Sequence, residues 1–380
     1  MRTSRFSQAL KSEISVVRQD RWMFAFVFWL PPLLALFLLL IFSAGQPTNL
    51  PIGVVDLDHS GLSRKATRYF DASPVMNVTR HYSSIAEGKA DISTAGIYAL
   101  VVIPSGFSRD VLRGEASTIT AFYNAQYLLI AKAMRAALIQ IEATLAVEVD
   151  VGRTLVFKPI MEAAIATALP LRTQMTPLYN LNMNYAVFLV PALLMALFQL
   201  LVICMTILSF AKMVKACEGS QQKYEFGQLA GRFFFYTGVF SVHILFTLFV
   251  LYGLLGWPVQ GSLAGLLPLI IVFVVACQVL GALFHVATFN LELSLSAASA
   301  FCGPAFAFFG VTFPASDMSH IAQIIRHLMP ASHYLDAFYN HISYNAGIYY
   351  SLKPGLIILA FAALAPLVIY RLKSHLRRAG

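Results

Sequence analysis

Charged residues are scarce in this chain: they make up 12% of its 380 residues, against 58% hydrophobic. Water-soluble globular proteins carry about 25%, so the deficit excludes an ordinary soluble fold over most of the length and points to lipid as the solvent. Cysteine is scarce too. Cys204, Cys217, Cys277 and Cys302 all lie in the second half and lack zinc-like spacing. That excludes an internal disulfide in residues 45–183 and leaves the four as small apolar packing residues. No glycine-rich phosphate loop ending in Lys-Ser or Lys-Thr is present, so any ATP used must be bound by another chain. No nucleophile–base constellation appears either, so no catalytic residue is assigned and the chain is not expected to be an enzyme.

What is abundant is uninterrupted apolar sequence. A helix needs about 20 apolar residues to cross the hydrocarbon core, and six runs qualify. They are Trp22–Phe42, Tyr185–Phe210, Phe233–Leu255, Ala264–Phe289, Leu295–Phe313 and Gly355–Tyr370. The first carries a Pro31-Pro32 pair expected to kink it, the fifth contains Gly303-Pro304, and the last is short and borrows from Tyr349–Leu352. The first run is longer than the roughly 7–15 apolar residues of a signal peptide, so it reads as an uncleaved span.

Positive charge then orients the spans. The formal net charge of +9 resides in the N-terminal segment (+3), the stretch Ser209–Arg232 (+2) and the tail after Tyr370 (+4). With six spans these three lie on one side, the cytoplasm. The opposite turn, Gly256–Ser262, has no Lys or Arg. The basic balance is therefore a topology signal. Nucleic-acid binding, its other common meaning, is not expected because no basic face carries interleaved aromatics.

The segments between spans have their own patterns. Phe6, Leu10, Ile14 and Val17 recur at helical spacing among charges, which predicts an amphipathic helix on the inner membrane surface over an ordinary charged flank. Residues 45–183 alternate strand and helix patterns. "PIGVVD", "VMNVTRH", "YALVVIP" and "STITAFYNA" read as strands. "DHSGLSRKATRYFDA" (capped by Asp58 or Ser60), "SIAEGKAD", "SGFSRDVLRG" and about Leu128–Val149 read as helices, with 150–183 finishing helical. The expected fold is an α-helical integral membrane protein of six transmembrane helices, with a mixed α/β extracytoplasmic domain inserted between the first and second. Its parts are an interface helix over 1–21, a first span over 22–44, the inserted domain over 45–183, and spans two to six over 184–380. A cytoplasmic loop covers 211–232. Two half-helices broken by Pro330 cover 314–350, and such irregular backbone at membrane depth must be buried against protein or line a cavity.

Chemistry-bearing residues mostly have plainer readings. His285, His320, His327, His333 and His341 do not converge at metal-ligand spacing and are joined by no Glu or Cys, so no metal is assigned. Glu292 is either a proton relay or a solvated acid at a short turn, and the turn is favoured. His243, inside the third run, suits a hydrogen bond to a neighbouring helix. Asp56 and Asp58 read as a turn and a helix cap rather than a cation or hydrolytic site.

Several stretches together resemble one family. "YNLNMNYAVFLVP" (179–191) is similar to the approach to the second span of bacterial ABC exporter permeases of the second type. "IGVVDLDHSGLSRKATRYFDAS" and "ALVVIPSGFSRDVLRGEASTITAFYNA" resemble the exported domain of that family's drug- and lipid-efflux branch. "GVTFPASDMSHIAQIIRHLMPASHYLDAFYNHI" (310–342) resembles the motif before its last span, with Ser319 where Pro usually follows the Met. The resemblance implies a second permease copy or paralogue, a separate ATPase subunit that holds ATP and magnesium, and a possible periplasmic membrane-fusion adaptor. It places ATPase coupling on Lys212, Lys215, Glu218, Gly219, Ser220, Lys223 and Tyr224, with Ser220 standing for the family's Thr.

The resulting expectation is a permease in the bacterial inner membrane with both termini cytoplasmic. It would export an amphipathic, drug-like or lipidic substrate past Asn184, Phe188, Ser296, Ser299 and Phe313. An ion-coupled secondary transporter would show acids buried in mid-span, and a membrane sensor or scaffold would use its spans only as anchors. Those remain the alternatives.

Overall fold

The computed structural model describes residues 2–157, 178–180, 183–217 and 226–379. The chain divides into two compact units, Met1–Gly45 with Pro177–Gly380, and Gln46–Thr176. The first unit opens with helix α1, Arg2–Gln19. Among its described residues are six helices long and apolar enough to cross a membrane: Arg21–Ile41, Tyr185–Ala216, Gln228–Leu254, Leu263–Thr288, Leu291–Phe308 and Tyr349–Arg377. The second and fourth are the most buried, at 61% and 50% of their apolar windows, against 17–22% for the first, fifth and sixth. The core of this unit is therefore built on the second and fourth spans. They meet at Gly281, where an added Cβ would sit 2.7 Å from the Ile203 carbonyl oxygen, so only glycine permits this backbone approach.

The unit Gln46–Thr176 alternates strands and helices. In order these are β1 (Leu50–Asp56), α2 (Gly61–Asp71), β2 (Met76–His81), α3 (Ile85–Ser93), β3 (Ala99–Ile103), α4 (Phe107–Arg113), β4 (Thr120–Tyr123) and α5 (Leu128–Phe157). The mixed sheet has the order β2-β1-β3-β4, with β1 parallel to β2 and β3, and β4 antiparallel to β3. β3 is buried at every position, as an unbroken apolar run requires when both sheet faces are covered. Ile52, Val54, Val101 and Ile103 pack with Met134, Ala137, Ile141 and Leu145 of α5. Val55, Leu100 and Val102 turn to the other face, towards Ile92 of α3. Ser60, not Asp58, caps α2, accepting from the Ser63 N–H at 3.0 Å. Asp56 accepts from the N–H groups of Asp58 and His59 and from the Ser63 hydroxyl at 2.7 Å, while Asp58 accepts from Ser108 N–H. The two carboxylates are thus spent on a turn and a loop clasp. α5 runs eight residues past Val149, and the remainder of 158–177 lies outside the described residues.

Three details of the spans refine the sequence pattern. The second helix continues for 33 residues to Cys217, about 50 Å at 1.5 Å per residue, well beyond the ~30 Å hydrocarbon core. The third begins at Phe226. Most of the polar stretch 209–232 is therefore helix, because Ala, Lys and Met extend a helix once it is nucleated. The apolar window marked the lipid-compatible length, not the helix end. Secondly, Pro31 and Pro32 lack N–H groups, so the Val27 carbonyl has no donor four or five residues on. The turn Ala25–Trp29 opens into π-helix, and His243 Nε2 from the third span sits 3.0 Å from Val27 O. Thirdly, two short helices, α6 (His320–His327) and α7 (Pro330–Phe338), separate the fifth and sixth spans. α7 is almost wholly buried, and its Ala331 N–H donates to Gln199 Oε1 of the second span at 2.9 Å. Ser332 donates to the Arg326 and Met329 carbonyls, which satisfies backbone acceptors that the interrupted helix frees.

Candidate functional site

The most concentrated polar chemistry in the first unit lies where α1 meets the ends of the second and third spans. Ala9, Glu13 and Val17, four residues apart, form the stripe of α1 that is buried. Phe6, Leu10 and Ile14, the apolar stripe in the sequence, are only half-buried. Glu13 is fully buried. Its Oε1 accepts from the Ser209 hydroxyl and the Tyr236 hydroxyl, both at 2.7 Å, and its Oε2 lies 2.8 Å from Arg232 Nη1. A carboxylate taken out of water is stable only if it is compensated, and here Oε1 is hydrogen-bonded twice and Oε2 is ion-paired. Arg232 Nη1 also reaches the Ser209 carbonyl at 3.4 Å. Tyr236 and Arg232 lie one helical turn apart, so one face of the third span presents both donors.

Contact between α1 and the third span depends on Gly231. An added Cβ there would stand 2.8 Å from the Phe6 carbonyl oxygen and 2.9 Å from Ala9 Cβ. Phe6 meets Phe234 edge-on, with centroids 5.5 Å apart. A second tie is looser. Lys212, near the end of the second helix, pairs with Asp20, which also caps the first span by accepting from Trp22 and Met23 N–H. The Lys212 hydrogen bond and the Met23 N–H hold the Asp20 carboxyl below its ordinary value, against the opposing effect of burial. Helix α1 and its C-terminal cap therefore fasten both flanks of residues 212–226. Lys215 is exposed in the last turn of the second helix. Glu218, Gly219, Ser220, Lys223 and Tyr224 lie outside the described residues.

Glu13 was not singled out by its sequence. Its signal was an acid in register with Ala9 and Val17, with Arg and Tyr one turn apart at the start of the third span.

The other sequence candidates are dispersed. Asn184 caps the second span, accepting from Ala186 and Val187 N–H, and exchanges two hydrogen bonds with Asn180. Phe188, Ser296, Ser299 and Phe313 are exposed on this chain. Glu292 is exposed in the first turn of the fifth span, a favourable end for an acid, and Asn290 caps that helix. His327 and His333 stack 5.4 Å apart, and His333 Nε2 lies 3.2 Å from the His327 carbonyl. His341 Nε2 lies 2.8 Å from Ser262 O. Beside the histidines, Arg326 holds Asp336 through two 2.6 Å contacts. Among the described residues no group of three His, Cys, Asp or Glu is placed to hold a metal ion. Cys204, Cys277 and Cys302 are free and lie inside the helix assembly.

Compared with known families, residues 21–370 match the model for the ABC-2 family transporter protein, through the inserted unit as well as the spans. No curated protein matches the chain. Membership of this family implies partnership with an ATP-binding subunit. A match of this length, on a chain built around six membrane-length helices, makes it a member of the ABC-2 family of transporter proteins, a multipass membrane subunit of an ATP-binding-cassette system.

Proposed function

We propose that this chain is the permease half of an exporter for amphipathic, drug-like or lipidic molecules, driven by a separate ATPase subunit that docks on residues 212–226. ATP and magnesium bind on that partner, and this chain contributes no nucleotide site. A second permease copy, identical or paralogous, completes the passage. The setting is a bacterial inner membrane with both termini in the cytoplasm and the unit Gln46–Thr176 outside, where an adaptor or the departing substrate is received. The Lys and Arg distribution supports this orientation.

The observation that carries the proposal is the anchoring of both flanks of residues 212–226 through the Glu13 cluster and the Lys212–Asp20 pair. A segment that passes motion from a motor to membrane helices must not be slack. Long helical ends fixed to a third helix satisfy that need. An ion-coupled mechanism is less well supported, because Glu292, at an exposed helix end, is the only Asp or Glu in the six spans.

The test is joint replacement Lys215→Ala with Glu218→Ala in cells that also express the ATP-binding subunit. Expected is loss of ATPase co-purification with normal membrane insertion. Unchanged co-purification would reduce the segment to a turn. Export of a panel of neutral, cationic and anionic amphiphiles then identifies the cargo.

A further inference from the structure

The unit Gln46–Thr176 contains a cleft that none of the preceding functional reading uses. It has a volume of about 440 Å³, within the ~300–1,000 Å³ range of small-molecule sites. One wall is a face of α5. Glu142, Leu145, Ala146, Val149 and Asp150 line it, at the i, i+3, i+4, i+7, i+8 spacing of a single helical stripe. The two acids stand about 12 Å apart along the helix, with apolar side chains between them. The opposite wall comes from Leu62 of α2, Phe107 and Val111 of α4, and the loop 114–119, which adds Glu115 and Ile119. Glu115 and Glu142 are exposed to solvent at the rim. Glu115 and Glu142 thus border an apolar floor, and among the described residues no Lys or Arg lines the cleft. Two bases on the same helices are already ion-paired, Lys65 with Glu148 and Arg109 with Asp110.

We propose that this cleft binds a cationic amphiphile, a molecule with an apolar body and one positive charge. A hydrated metal ion gains nothing from the apolar walls, and an anionic amphiphile meets like charge at the rim. A lipophilic cation fits both features. Its body covers Leu62, Val111, Leu145 and Val149, its charge faces the glutamates, and the Phe107 ring adds attraction for a cation. This binding is a property of the inserted unit and holds whatever cargo the spans carry.

The test uses the full chain in nanodiscs of neutral lipid, with empty nanodiscs subtracted. The probes are tetraphenylphosphonium and tetraphenylborate, alike in shape and opposite in charge. Expected is saturable binding of the cation and none of the anion. Glu115→Gln and Glu142→Gln should each weaken cation binding about tenfold, the scale of one nearby charge in a partly desolvated site. Ala146→Trp should abolish it by filling the cleft. These side chains are exposed on an intact helix and loop, so the variants should keep wild-type unfolding temperatures, which are measured alongside. Cation binding unchanged by all three variants, equal binding of both probes, or non-saturable partition alone would each overturn the proposal.

Discussion

The two units use the same interaction at opposite ends of its energetic range. In the inserted unit, Lys65 pairs with Glu148, and the two side chains are 42% and 40% exposed. In the membrane unit, Arg232 pairs with Glu13, and the corresponding exposures are 19% and 0%. Water remains available to each partner of the first pair, so separating them costs little. Glu13 has no such alternative. Burial therefore decides what an ion pair does: the exposed one decorates a helix contact, and the buried one fixes where α1 must sit.

The largest expected effect follows directly. Arg232→Leu strands a fully buried carboxylate, which typically costs about 3–5 kcal/mol. Thermal unfolding of the detergent-purified chain should show a large fall in midpoint, and the double variant Glu13→Leu with Arg232→Leu should recover much of it. Lys65→Ala, measured the same way, should leave the midpoint near that of the wild type. Equal shifts for Arg232→Leu and Lys65→Ala would break the comparison.

Glycines extend the contrast. Gly231→Ala drives a methyl group against the Phe6 carbonyl and Ala9, an overpacking that costs about 1–3 kcal/mol and should expose α1 to added protease. Gly61, at the start of α2, has nothing within 4 Å of an added Cβ. There Gly61→Ala should stabilise by about 0.4–1 kcal/mol through the unfolded chain. Hydrogen exchange across α1 and α2 reads both, and protection of α1 unchanged in Gly231→Ala would refute the close packing.

Legibility in the sequence divides along the same line. The inserted unit was readable strand by strand, because β3 must be apolar throughout and Ser60, one of the two expected caps, starts α2 in place. The number of spans was readable because lipid sets their length. Helix ends were not, since Lys212 and Lys215 close the uncharged run while Ala211–Cys217 extends the second helix. Glu13 was missed for a related reason. Hydrophobic periodicity reports which stripe is apolar, and the stripe that α1 buries contains a charge whose partners are 196 and 223 residues away. The cleft acids were also unread, because Glu142 and Asp150 become a pair only when α5 is known to continue past Val149.

A smaller effect is expected at His243. His243→Leu leaves the Val27 carbonyl without its donor in the membrane, and such bonds are worth about 0.6–1.7 kcal/mol. His243→Gln, which retains a donor, should recover part of the loss in the same unfolding measurement. Equal loss in both variants would mean that His243 serves by packing, beside Phe28 and Phe240, rather than by its hydrogen bond.

Acidification gives the smallest effect, and it is read in the inserted unit. In the inserted unit, burial tends to raise the Asp56 carboxyl, but the Ser63 hydroxyl and the His59 and Asp58 N–H groups outweigh it and hold it below its ordinary value of 3.8. The Lys65 and Tyr69 hydrogen bonds hold Glu148 below its ordinary 4.5. A carboxyl lowered in the folded state stabilises it fully above the ordinary value and loses that contribution as pH falls through the lowered one. Hydrogen-exchange protection of β1 and α2 should therefore be flat from neutral pH down to about 4.5 and decline below it, after correction for the intrinsic exchange rate. Asp56→Asn removes the carboxylate, so its protection should start lower and fall less steeply. A decline that begins well above pH 4.5, or an equally steep one in Asp56→Asn, would assign the acid sensitivity to other groups.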